Sequence, residues 1–220
     1  MKTRKNLLIF GSGTLAELAT FYFEKDSNYK VISYVEDDTF EGIKKELMGS
    51  PIISWSDALE RYSSADVEFF VSIGYRKTND VRKQRYQQVK SAGYSCASYI
   101  SSKATNFAQS IGDNCFILEN NVLQPFTVIG NNVTMWSGNH LGHHSLVEDN
   151  VFIASHAVIS GKCRIGMNSF LGVNCSLHDG TVIGEKSVIG AGAIVSKSCD
   201  ARSVFAPNST LPRIIKRDVI

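Results

Sequence analysis

Residues 138–145 read GNHLGHHS and hold three of the chain's five histidines, His140, His143 and His144. An imidazole of ordinary basicity is mostly neutral at pH 7, so it can take a proton from an amine or hydroxyl without special tuning. The adjacent pair, in a stretch of small, apolar and uncharged residues, marks candidate general-base chemistry. A second stretch, Gly11-Ser-Gly13-Thr14, follows an apolar run and opens a helical pattern. Glu36, Asp37 and Asp38 close the next apolar run. Glycines ahead of a helix N-terminus suit a phosphate, and a carboxylate at Asp37 suits a ribose or base.

The elements that must carry these residues have two different periods. Over residues 6–100, strand-like and helix-like segments alternate: NLLIF (6–10), a helix from GSGTLAELATFYFEKD, KVISYV (30–35), SWSDALERY (54–62) and VEFFVSI (67–73). A helix follows in TNDVRKQRYQQVKSAG, with Thr78 to Asp80 as capping candidates, and CASYI (96–100) is read as a last strand. This order implies a small parallel sheet flanked by helices. Only about 100 residues precede the change of rhythm, too few for a complete two-half dinucleotide fold, so a single nucleotide is the more economical ligand.

From residue 111 every sixth residue is aliphatic or Met: Ile111, Ile117, Leu123, Ile129, Met135, Leu141, Val147, Ile153, Ile159, Ile165, Leu171, Leu177, Ile183, Ile189 and Val195. Mostly small or short residues follow four places later, among them Cys115, Cys163, Cys175 and Cys199. This is a parallel β-helix of hexapeptide repeats, in which three short strands make one triangular coil of 18 residues. Five such coils give a prism about 24 Å tall. The cysteines on the inward column are packing residues.

Residues 18 apart stack on neighbouring coils, so His143 shares a column with Pro125, Gly161 and Asp179. His144 stacks with Lys162 and Gly180, and His156 with Gly138 and Asn174. None of the three occupies the inward position, so none is needed to fill the core. Gly161 is expected to leave open space above His143 and to aim a backbone N–H at a developing oxyanion. His140 and His178 read as polar surface residues. Arg82 and Lys83 read as a solvated helix face rather than phosphate ligands.

The bulk properties narrow the class. A composition 43% hydrophobic and 20% charged is that of a globular protein, and a net charge of +2 makes no case for nucleic acid. The apolar run after MKTRK is too short for a signal-peptide core, and none approaches the roughly 20 residues that span a bilayer. Five cysteines without a CxxC pair suggest neither a disulfide framework nor a zinc ribbon. A cytoplasmic, reduced protein is expected.

Through IFGSGTLAE (9–17), YVEDD (34–38), SIG (72–74), GHHSLVEDNVFIASHAVISG (142–161), FLGVNCS (170–176) and IGAGAIV (189–195), the chain resembles a two-domain group of hexapeptide-repeat acyltransferases. That group comprises nucleotide-sugar N-acetyltransferases of the bacillosamine and perosamine type and sialic acid O-acetyltransferases. The resemblance implies a small Rossmann-like domain (1–103), binding the nucleotide sugar, and a left-handed β-helix acyltransferase domain (104–220). It implies a homotrimer with acetyl-CoA in the groove between neighbouring prisms. It makes His143 the general base, gives Gly161 an N–H toward the thioester oxygen, and runs the pantetheine arm past Gly172, Val173, Gly190 and Ala191. The residue after the base is often acidic in that group. Here it is His144, which is kept among the catalytic residues, and Glu148 or Asp149 is the candidate to orient the base. Gly11, Gly13, Thr14, Asp37, Gly74 and His156 are the expected substrate-binding residues.

The reading is therefore an acetyl-CoA-dependent N-acetyltransferase acting on the 4-amino group of a nucleotide-linked 4-amino-4,6-dideoxy sugar for a surface polysaccharide, with no metal. A sugar O-acetyltransferase of the sialic acid type is the nearest alternative. A zinc enzyme like the β-helix carbonic anhydrases, using His140, His144 and His156, and a non-catalytic scaffold are further ones.

Overall fold

The structure, a computed structural model, describes residues 4–42 and 45–207. The N-terminal domain comprises β1 (Lys5–Phe10), α1 (Thr14–Asp26), β2 (Tyr29–Glu36), β3 (Glu46–Leu47), β4 (Ser50–Ser54), α2 (Trp55–Arg61), β5 (Val67–Val71) and α3 (Asp80–Ser91). Its sheet has the order β3-β4-β2-β1-β5, parallel except for the β3–β4 hairpin. Leu7 to Phe10 of the central strand are buried. Leu7 and Ile9 meet Ala16, Ala19 and Phe23 of α1, whereas Leu8 and Phe10 join the cluster of Val89 and Tyr94 on the opposite face. Cover on both faces explains why these strands read as unbroken apolar runs.

Two features depart from the sequence reading. The β3–β4 hairpin is an addition, built from segments too short and polar to stand out. CASYI is not a strand of this sheet: Cys96 makes a single bridge to Phe69, and Tyr99–Ile100 already pairs with Phe116–Ile117 as the first rung of the β-helix. The expected 103/104 division thus falls inside the first coil.

The remaining strands form a left-handed β-helix with three parallel sheets of seven, six and five strands. The first face runs from Tyr99–Ile100 through Thr134–Met135, Phe152–Ile153 and Phe170–Leu171 to Val204–Phe205. The second carries Val122–Leu123, His140–Leu141, Val158–Ile159, Ser176–Leu177 and Ile194–Val195, and the third Val128–Ile129 through Val182–Ile183. Register is 18 residues between the inner coils, as in Val122↔His140↔Val158, and shortens at the two ends, as in Tyr99↔Phe116 and Val188↔Val204. The aliphatic column from Ile117 to Val195 is fully buried, as are Cys115, Cys163 and Cys175 of the small column. Burial raises the Cys175 thiol to about 11, as befits a packing residue.

Each corner turns through a residue in the left-handed conformation, at every sixth position from Asn114 to Gly192. Asn, Gly, Lys and His fill these corners, with Phe at 126. Asn, Gly and His tolerate this backbone better than most residues. His144 (φ 58) and His156 (φ 60) therefore turn the chain, a role that stacking alone did not disclose.

The N-terminal domain lies over the first face. Tyr75 packs on Phe152 and Phe170, with ring centroids 5.1 and 4.8 Å away. Arg82 is fully buried rather than solvated: its Nη2 donates to the carbonyls of Asn132, Asn150 and Val151, and its guanidinium lies over Phe152. Burial draws it down to about 9, so it keeps its charge at neutral pH. Asn79 does not cap α3 with its side chain; its Nδ2 donates to Asn168 and Ser169 carbonyls instead. A buried asparagine ladder completes the joint. Asn114 Oδ1 accepts from Val71 N, and each amide then donates to the next through Asn132 and Asn150 to Asn168, which donates to Asp80.

Candidate active site

His143 and His144 stand on the corner between the second and third faces, both exposed. The two Nδ1 atoms lie 3.1 Å apart and the rings cross at 87°. One Nδ1 must donate and the other accept. When His143 donates, its proton sits on Nδ1, and Nε2 keeps a free lone pair turned away from His144. This is the tautomer of a base, and His144 is the group that holds it. Neither Glu148 nor Asp149 orients His143. Glu148 pairs with Arg164 at 2.5 Å and accepts from Met167 N, while Asp149 accepts from Asn131 N.

Gly161 corrects one expectation. The space above His143 is not open: a Cβ at Gly161 would lie 2.7 Å from Cε1 and Nε2 of His143, so the glycine is what lets the ring lie there. Its N–H is also engaged, donating to Asp179 Oδ1 at 2.7 Å. His140 projects from the second face between Val122 and Val158, half-buried.

Gly172, Val173, Gly190, Ala191 and His156 lie on a different edge, the corner between the first and second faces. Gly172 packs against the backbone of Gly190 and Ala191, where no Cβ fits, and Val173 and Ala191 are exposed. The His156 ring covers Gly138. One chain therefore does not bring these residues to His143, because a strand of the second face lies between the two edges.

Gly11, Gly13, Thr14, Asp37 and Gly74 do converge. They line a cleft of about 680 Å³ at the carboxyl ends of β1, β2 and β5. Gly11 (φ +109) is required, since a Cβ would also meet Ser72 O at 3.0 Å. Gly13 caps α1 without a side-chain hydrogen bond, leaving first-turn amides for a ligand. Asp37 is not free: its Oδ2 lies 2.6 Å from Arg85. The cleft adds residues that the sequence reading did not select. Arg76 and Arg85 supply its cations, and Ser72 carries a buried hydroxyl without a partner. Tyr75 separates this cleft from an apolar slot of about 340 Å³ lined by Trp136, Phe152, Phe170 and Val173. Its aromatic members are far apart in sequence, so no local signal joined them. Among the described residues, no cluster of three or more His, Cys, Asp or Glu has a geometry for a metal ion.

A nucleotide-type cleft joined to a hexapeptide β-helix with an exposed, oriented histidine defines a class of two-domain hexapeptide-repeat proteins. Residues 6–89 match the PglD N-terminal domain, residues 110–143 the bacterial transferase hexapeptide, and residues 162–197 the hexapeptide repeat of succinyl-transferase. The chain thus joins a domain similar to the PglD N-terminal domain to a β-helix of hexapeptide repeats. Its fold is shared with solved structures. The acetyltransferase domain of PglB from Neisseria gonorrhoeae, also solved with acetyl coenzyme A, is 23% identical at a TM-score of 0.77, covering 90% of this chain and 93% of that one. PerB from Caulobacter crescentus, in complex with CoA and GDP-perosamine, is 19% identical with a TM-score of 0.80, covering 90% and 92%. WeeI from Acinetobacter baumannii is 17% identical with a TM-score of 0.77, covering 91% and 95%.

Proposed function

We propose that the protein is an acetyl-CoA-dependent N-acetyltransferase acting on the 4-amino group of a nucleotide-linked 4-amino-4,6-dideoxy sugar. The observation that carries this reading is His143: exposed, its ring lying where a Cβ at Gly161 would stand, and tied through Nδ1 to His144. The named ligands of PglB and PerB support the donor and acceptor classes. The cleft at Gly11, Gly13 and Asp37 suits a nucleotide diphosphate, with Arg76 and Arg85 as counter-charges and the Ser72 hydroxyl awaiting a partner. The neighbouring aromatic slot suits the apolar face and methyl group of a deoxy sugar.

The chemistry needs no covalent enzyme intermediate. The acceptor amine attacks the thioester carbonyl, His143 Nε2 takes the proton that the nitrogen sheds, and the C–S bond breaks to give the amide and the CoA thiol. His144, as neutral acceptor, stabilises the imidazolium formed at His143. The Gly161 N–H serves the oxyanion once Asp179 releases it.

The two edges fit a homotrimer. With His143 on one edge and Gly172, Val173, Gly190 and Ala191 on another, a groove between adjacent prisms unites them. Exposed Val158 and Ile194 on the second face and Val182 on the third are apolar surface for such an interface.

Thiol release from acetyl-CoA with UDP-, dTDP- and GDP-linked 4-amino-6-deoxy sugars tests the reading. Turnover with one of them supports it; turnover only with hydroxyl acceptors such as sialic acid overturns the N-acetyl assignment.

A further inference from the structure

Corner residue 126 departs from its counterparts. Phe126 sits at φ 66, in a column otherwise occupied by His144, Lys162 and Gly180, and is 60% exposed. A left-handed backbone is unfavourable for a bulky side chain, and an exposed aromatic ring earns nothing from burial. Strain of this kind points to a role beyond the corner itself. The Phe126 ring lies 4.7 Å from the His144 ring, tilted by 37°, and His144 in turn holds Nδ1 of His143.

We infer that Phe126 is a positioning residue of the acyl-transfer site, acting through His144 to keep His143 in its base tautomer. This rests on the assignment of His143 as the base. The left-handed backbone fixes where the His144 ring starts, and Phe126 on the coil beneath limits how far it can swing. Without that support the His144 ring is free to turn its Nδ1 toward solvent, and His143 loses the acceptor that keeps its own proton on Nδ1. The other polar groups around the pair do not replace it. Gln124 Oε1 accepts from the His143 backbone N–H rather than from its ring. Lys162, above His144, is a cation, and Asp179, above Gly161, is taken by the Gly161 amide.

The test uses Phe126→Asn, which places a corner-favouring residue at the same site, together with Phe126→Tyr, which keeps the ring. Expected for Phe126→Asn are an unchanged or higher Tm, a kcat about three- to tenfold lower, KM values close to wild type and a displaced acid limb of the kcat profile. Phe126→Tyr restores kcat. Imidazole NMR gives a readout independent of turnover: the His143 proton stays on Nδ1 in the wild type and is shared with Nε2 in Phe126→Asn. Wild-type kcat and an unchanged His143 tautomer in Phe126→Asn overturn the inference, as does activity that merely tracks a falling Tm in both variants. A wild type inactive toward every acceptor, yet with the His143 tautomer altered by Phe126→Asn, counts against the acetyl-transfer reading and leaves the Phe126–His144–His143 link standing.

Discussion

Asp179 accepts the backbone proton of Gly161 at 2.7 Å, one coil above the ring of His143. The backbone donor beside the proposed base is thus already paired with a carboxylate, which the carbonyl oxygen of a thioester bound there must displace. Replacing Asp179 with Ala frees that N–H, and KM for acetyl-CoA is expected to fall, by up to about tenfold if a charge-assisted hydrogen bond is what the donor competes with. Initial rates against acetyl-CoA concentration check this. An unchanged KM would assign the bond to corner stability alone.

His143→Ala is expected to lower kcat by about 10²–10⁴ while acetyl-CoA still binds. His144→Gly, at a corner where glycine is at ease, should lower kcat by about tenfold, since it removes one hydrogen bond and not the base. Steady-state kinetics beside calorimetric CoA binding separates the two effects.

Asp37 lies in the cleft of the N-terminal domain, away from the histidine edge. Asp37→Ala should raise KM for the sugar nucleotide and leave kcat less affected. A parallel fall in kcat would show that this domain also aligns the acceptor.

Arg82→Met removes a buried donor shared by three carbonyls, of which Val151 O keeps the Thr134 N–H and those of Asn132 and Asn150 lose the guanidinium. A loss of about 3 kcal/mol is expected, measured as an earlier urea transition.

Asp26, at the end of α1, accepts from Ser102 N and Tyr99 OH, both at 2.8 Å. The bonds from Ser102 hold its carboxyl below the ordinary carboxylate range. A depressed folded-state pKa gives stability that is present above the unfolded value and lost as pH falls through the folded one. Thermal melts from neutral pH down through the carboxylate range should show this acid loss, and Asp26→Asn should flatten it.

The repeat was legible because its core is one-dimensional: each inward aliphatic residue answers to the same position one coil away, so the period survives in the chain. The cleft of the N-terminal domain was legible in part for a similar reason, Gly11 and Gly13 lying together at one strand–helix turn while Gly74 comes from another. Arg82 was not, because a charged residue near a helix start looks alike whether it meets water or a column of carbonyls. The bond between Asp179 and Gly161 depends on one carboxyl rotamer, and stacking gave only their shared column. His144 and His156 stood out as chemistry, yet they also satisfy a corner geometry visible three places after each aliphatic residue.

The asparagine ladder has an implication for how such chains change length. A β-helix alone tolerates the gain or loss of a whole 18-residue coil, because every register is preserved. The amides of Asn114, Asn132, Asn150 and Asn168, however, span about 14 Å between two fixed points of one domain, Val71 and Asp80. An extra coil in that interval would leave one end of the ladder without its terminus. The N-terminal domain thus serves as a gauge for this part of the prism, and coil number is free to vary only beyond Lys186, whose Nζ also reaches Asp80.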